Sequence, residues 1–195
     1  MRSSAIGGIV ALFVILIGIN MVFFRVQEWQ QVVITQFGKP KRVIKESGLY
    51  FKLPDPVQKI HTFNSWLLDY NSKPESIYTK DKKVLLLNNY ARWRITKPLV
   101  FLQALRTQDE GLARLDDIIY SELRRELGQH DLSEVISSNR EALMQLVTER
   151  SNKAAQVYGI EVLDVRIKRA DLPKENEAAV YDRMRAERSR EAKAY

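Results

Sequence analysis

Between Ala5 and Phe24 the chain reads AIGGIVALFVILIGINMVFF, 20 residues without a charge. Wound as a helix rising about 1.5 Å per residue, such a stretch covers about 30 Å, the hydrocarbon thickness of a bilayer. Thirteen of its residues are Leu, Ile, Val or Phe. Each favours the bilayer centre by roughly 0.3–0.6 kcal/mol, which outweighs Asn20 and the three glycines. The run is longer than the roughly 7–15 apolar residues of a cleaved signal, and no small-x-small site follows in FFRVQEWQQ. The expectation is an uncleaved anchor within residues 1–26, with Ala5, Leu12, Ile15 and Phe24 in the span.

Beyond the anchor lie about 170 residues, enough for one domain with its own core and an appendage. The chain has no cysteine, which excludes disulfides, thiolate metal sites and a thiol nucleophile. Its net charge is +7, but 24 acidic residues are interspersed among 31 basic ones, so the surface reads as mixed rather than as a polyanion-binding face. Arg2 precedes the span, whereas Arg25, Lys39, Lys41 and Arg42 follow it. Taken alone, the positive-inside rule favours a cytoplasmic C-terminal domain, although long downstream domains translocate largely regardless of charge.

Trp29–Phe37 is rich in β-branched and aromatic residues and closes at Gly38, as a strand entering a turn does. Lys41–Ile44 and Leu49–Leu53 read as the next strands of a hairpin meander. Pro54 and Pro56 interrupt it before Val57–Thr62 and Ser65–Tyr70. Trp29 and Trp66 suit an interface or a core better than a ligand stack. In Val84–Ile95, Leu85, Leu87, Ala91, Trp93 and Ile95 alternate with Asn88, Tyr90, Arg92 and Arg94, which predicts a half-buried antiparallel strand. The same alternation puts Trp93 on the opposite face from both arginines, which argues against a basic-aromatic nucleic-acid platform.

Pro98 opens a short helix, and Gly111–Leu127 follows with Leu112, Leu115, Ile119, Leu123 and Leu127 at helical spacing and Gly128 as a stop. A short helical segment opens at Asp131. The box Ser138-Asn139-Arg140-Glu141 then caps a longer helix that buries Leu143, Met144, Val147, Ala154 and Tyr158 and ends at Gly159. Ile160–Ala170 is a strand expected to bury Leu163, Val165 and Ile167. From Pro173 a helix carries six basic and five acidic residues with Val180 and Met184 as nearly its only large apolar pair. It needs neighbours to be stable. No stop signal precedes Tyr195, so it is expected to continue. The fold class is α+β, with an anchor at 1–26, a domain at 27–172 and the start of an assembly helix at 173–195.

Catalytic chemistry is thinly represented. His61 and His130 lack metal-ligand spacing, His130-Asp131 forms no triad by adjacency, and phosphate-binding glycine loops are absent. Glu122 and Glu126 could pair at i, i+4, but Arg124 and Arg125 flank them and a solvated charged face is the expected reading. An enzyme, a metal site and a cofactor are therefore not expected.

Several stretches carry a resemblance: Phe37-Gly38-Lys39; Gly48–Pro54 (GLYFKLP); Thr79–Lys83 leading into Tyr90–Ile95 (YARWRI); Leu123–Gly128 (LRRELG); Gly159–Lys168 (GIEVLDVRIK); and Asp182–Arg188 (DRMRAER). Together, in this order, they resemble the SPFH (band 7, prohibitin-like) family. The resemblance implies a mixed, antiparallel-rich domain followed by a long coiled-coil helix. It also implies a non-enzymatic scaffold in a bacterial inner membrane, with a cytoplasmic N-terminus and the domain in the periplasm, against the charge count. Whole-domain similarity is the more specific signal. Implied partners are an HflK-like subunit and an FtsH-like membrane protease, enclosed in a hetero-oligomeric ring in the bilayer. Val180, Arg183, Met184, Arg185, Glu187 and Arg188 are the expected oligomerisation residues. A stomatin-like organiser of membrane domains and a membrane-anchored hydrolase are the alternatives.

Overall fold

A computed structural model describes residues 22–136, 140–171 and 190 of the chain. The expected span from Ala5 to Met21, the capping residues 137–139, and the assembly helix with all six of its expected contact residues lie outside these. The fold is mixed α+β with antiparallel sheets, and the described residues divide into two compact units. The first takes the chain up to Leu68 with Arg94–Gly111 and Gln156–Glu161; the second takes Asp69–Trp93, Leu112–Ala155 and the residues from Val162 on.

In the first unit, strand β2 (Gln30–Gln36) lies between β3 (Lys39–Ile44) and β5 (Gln58–Asn64), antiparallel to both. Residues 31–35 of β2 are all buried, because both faces are covered. Val32 and Ile34 join Val26 and Ile44 in a cluster flanked by Phe24, Tyr50 and Ile60. The other face meets helix α1 (Pro98–Leu105): Phe63, which pairs with Gln31, sets its ring edge-on to Phe101 at 5.2 Å. This double burial explains why Val32, Val33 and Ile34 are apolar in succession and do not alternate with polar residues. Between Ile34 and Thr35 the pairing with β3 slips, so that Thr35 faces Pro40 and Lys41 is the extra residue. A proline without an N–H sits naturally beside such a bulge.

Strand β4 (Gly48–Phe51) does not extend this sheet as a meander would. It pairs instead with β1 (Phe23–Val26) in a separate two-stranded sheet. Phe24, expected to close the membrane span, therefore stands in a strand opposite Tyr50, where its aromatic ring packs 6.1 Å from that of Tyr50. Gly159 closes the unit near α1: its carbonyl accepts the N–H groups of Thr96 and Lys97. Its φ of +73° and the 2.5 Å from its missing Cβ to the Lys97 carbonyl leave room for glycine alone.

The second unit is built on β8 (Val84–Ile95), which lies between β6 (Leu68–Asn71) and β7 (Glu75–Tyr78) and also pairs with β9 (Ile160–Asp171). The alternation along β8 is as expected: Leu85, Leu87, Ala91, Trp93 and Ile95 are buried, while Arg92 and Arg94 are exposed. Strand β7 was not legible in the sequence. Helix α2 (Gln108–Leu127) carries Leu115, Ile119, Leu123 and Leu127 in one fully buried row at intervals of four. Each such side chain contributes roughly 1.5–3 kcal/mol on burial. Acidic Asp109 and Glu110 in its first turn and basic Arg124 and Arg125 in its last complement the helix dipole.

Helix α3 (Leu132–Ile136) follows, and then α4 (Arg140–Ala155), which buries Leu143, Met144, Val147, Ser151 and Ala155. Ala155 replaces the expected Ala154, and Tyr158 falls in a separate 3-10 turn, because the α-helical hydrogen bonding stops at Ala155. On β9 the expectation fails at Leu163, which is exposed, while Val162 is buried alongside Val165 and Ile167. The N–H of Val162 donates to Asn152 Oδ1 and that of Val165 to Thr148 Oγ1. Residues three apart in a regular strand send their N–H groups to opposite sides, so their shared attachment to α4 changes the buried parity between them. Glu126 also departs from expectation. It is 2 % exposed and ion-paired with Arg150, while Glu122 pairs with Arg125.

A candidate membrane-facing surface

The pairing of β1 with β4 sorts its side chains onto two faces. Phe24, Val26 and Tyr50 turn to the core of the first unit. Phe23 and its partner Phe51, with Arg25 and its partner Leu49, occupy the other face. There Phe23 is 47 %, Phe51 54 % and Leu49 70 % exposed. The two phenylalanine rings meet edge to face with centroids 6.2 Å apart. Leu53, just past β4, is exposed too. An exposed apolar group of this kind marks a contact surface.

Two cations lie beside this strand pair. Arg42 donates to the Phe51 carbonyl at 3.0 Å and sets its guanidinium 5.9 Å from the centre of the Tyr50 ring. Lys52 pairs with Asp55 at 3.0 Å, and its N–H donates to the carbonyl of Val22, the residue that leads into β1. Gln58 ties this end together: its Oε1 accepts the N–H of Leu53, and its Nε2 reaches Gln36 Oε1 at the end of β2. Aromatic rings beside lysines and arginines, directly after an uncharged apolar segment, have the composition of a bilayer's headgroup layer.

The remaining side chains singled out from the sequence are scattered. His61 Nε2 lies 3.3 Å from Thr35 Oγ1 in the first unit, and His130 Nδ1 lies 2.6 Å from Glu134 Oε2 in the second. Among the described residues no group of three or more acidic or histidine side chains could hold a metal ion, and no helix is long and apolar enough to cross a membrane. Trp29 and Trp66 form an exposed pair with ring centres 5.8 Å apart, whereas Trp93 is fully buried. In the second unit the Tyr70 hydroxyl donates to Asp116. Burial first, and then that bond and the surrounding carboxylates, push its pKa up, so it remains a donor. The outer face of β1 and β4 is hidden in the sequence because Phe23 and Phe24 continue the charge-free apolar run. Its signal was the alternation of Phe23 and Arg25 against Phe24 and Val26, matched by Leu49 and Phe51 against Tyr50.

The family described as SPFH domain / Band 7 matches residues 24–195. "Protein HflC" of Buchnera aphidicola subsp. Schizaphis graminum is 30% identical over 194 residues, covering 88% of this chain and 63% of the relative. "Protein HflC" of Treponema pallidum is 27% identical, covering 89% and 63%. "Modulator of FtsH protease HflC" of Escherichia coli K12 is 27% identical over 242 residues, covering all of this chain and 71% of the relative. The chain thus spans less than two thirds of the length of the first two of these relatives.

Proposed function

The chain belongs to the SPFH domain / Band 7 family, and from that premise we propose that it is a membrane-anchored scaffold subunit that modulates an FtsH-like protease. Within this reading it assembles with an HflK-like partner into a ring in the bacterial inner membrane and restricts the access of membrane substrates to the enzyme. It is not itself an enzyme. Its N-terminus is cytoplasmic and its domain periplasmic.

The observation that carries the reading is the outer face of β1 and β4. Phe23, Leu49 and Phe51 are exposed there at the point where the chain leaves the charge-free stretch ending at Phe24. A single apolar helix already holds a protein in the bilayer, so a second, interfacial contact serves orientation. Copies held at one depth and one tilt meet in two dimensions, which raises their effective concentration for edge-to-edge assembly. The relative named a modulator of FtsH protease supports the choice of partner. The mixed charge of the segment after Pro173 supports packing between neighbouring helices.

Affinity purification of the tagged full-length protein from its native membranes, followed by identification of the bound chains, tests this. HflK-like and FtsH-like chains are expected. Homo-oligomers without either would favour the stomatin-like reading. Proteolysis by the purified protein free of FtsH, abolished by one substitution, would favour the hydrolase.

A further inference from the structure

At the end of β2 the first unit holds a cavity of about 850 Å³. Lys39, Lys59, His61 and Arg106 line it, and no acidic residue does. Among the described residues Lys39, Lys59 and Arg106 form no ion pair with a carboxylate, although 24 acidic residues are present in the chain. Their gathering around one concavity with no carboxylate in its lining gives that concavity a positive sign. The floor is polar: Thr35, 6 % exposed, donates to the Lys59 carbonyl and meets His61 Nε2 at 3.3 Å. The rim is apolar. Phe37, 75 % exposed, is held outward at a φ of 49°, and Pro40, Pro56 and Leu102 complete that side.

The cavity lies at the same end of the unit as the aromatic face. The N–H of Phe37 donates to the Val57 carbonyl, and Gln58 links Gln36 to Leu53, one step from Lys52 and its bond to Val22. The hydroxyl of Thr107 is committed to the N–H of Glu110 at the start of α2, so the side-chain cations, not a helix terminus, give the cavity its sign.

We propose that this cavity binds the phosphate of an anionic phospholipid, with Lys39, Lys59 and Arg106 around the phosphate and Phe37, Pro40 and Pro56 against the start of the acyl chains. A water-facing lysine pairs weakly with an anion. Several cations converging on one phosphate in a concave site with an apolar wall form stronger, charge-assisted bonds. The proposal rests on the reading of this end of the unit as the membrane-facing one.

The test is calorimetric titration of the detergent-purified full chain with short-chain phosphatidylglycerol, short-chain phosphatidylcholine and inorganic phosphate. Saturable binding of phosphatidylglycerol is expected, with phosphatidylcholine and phosphate each weaker by about tenfold or more. The double variant Lys59→Gln, Arg106→Gln should weaken phosphatidylglycerol by a similar factor. Lys41→Gln, Lys45→Gln, outside the cavity, should not. All four positions are exposed, and an unchanged melting temperature checks that the variants fold. Equal loss in both double variants, equal affinity for the two lipids, or phosphate binding as tightly as phosphatidylglycerol would each overturn the assignment. FtsH association in pull-downs is read separately. Its absence with lipid binding intact overturns the protease reading alone, and its presence without lipid binding overturns the cavity alone.

Discussion

Phe23 and Phe51 face each other across the β1 and β4 pair, edge to face at 6.2 Å, with about half of each side chain open to solvent. A buried pair in this geometry would be core. Here the pair stays open to solvent, and on the proposed reading it is the part of the domain that meets the headgroups. The chain has no cysteine, so Phe51→Cys provides a single site for an environment-sensitive fluorophore. In reconstituted vesicles a label at 51 should shift to the blue and be quenched by lipid-borne quenchers. A label at exposed Lys153 should behave as in water.

Gln31 is 3 % exposed, and its Nε2 donates to the Ile95 carbonyl at 2.7 Å. Gln31→Ala leaves that carbonyl without its partner and should cost about 1–3 kcal/mol. Urea unfolding of the full chain, read as a lower midpoint at constant slope, measures it.

Gly38 and Gly159 both have positive φ, +80° and +73°, but only Gly159 is crowded. Gly38→Ala meets open space and should cost about 1 kcal/mol through backbone conformation alone. Gly159→Ala adds the clash with the Lys97 carbonyl and should cost about 2–4 kcal/mol. Comparing the two melting temperatures separates sterics from backbone preference.

Asp81 accepts hydrogen bonds from Thr79 and from the N–H of Leu132 and pairs with Lys83. Burial works against its charge. The bonds from Thr79 and Lys83, the attraction of Lys83 and the Leu132 N–H outweigh burial and hold the carboxyl below its ordinary range. A depressed folded-state pKa stabilises fully above the unfolded value, near 3.9 for an aspartate, and its contribution is lost as pH falls through the lower folded value. Asp81→Asn should therefore lower stability at neutral pH and flatten the acid limb of a stability–pH curve, as pH-dependent urea unfolding will show.

What was legible followed local periodicity. The alternation along β8 and the spacing from Leu115 to Leu127 place side chains correctly because one face of a strand or helix decides burial. What was not legible depends on partners distant in the chain. Strand β4 pairs with β1, which lies before β2 and β3 in the chain, and no periodicity within Gly48–Phe51 records that partner. Leu163 turns outward because Asn152 and Thr148, on a helix, hold two N–H groups of β9 to one side. Glu126 is buried because Arg150, 24 positions on, meets it. The aromatic face was present as alternation but lay under a hydrophobic run, and the cavity brings together residues from three separate stretches. Family membership was legible because its matching residues recur in order along most of the chain.

The central claim is that this subunit controls which substrates reach an FtsH-like protease. The most direct measurement is the degradation rate of one membrane-embedded and one soluble substrate by the protease in proteoliposomes, with and without the full-length protein and its HflK-like partner. Degradation of the membrane substrate is expected to slow while that of the soluble substrate on the open face of the membrane is unchanged. Equal rates for the membrane substrate with and without the subunit would contradict the claim.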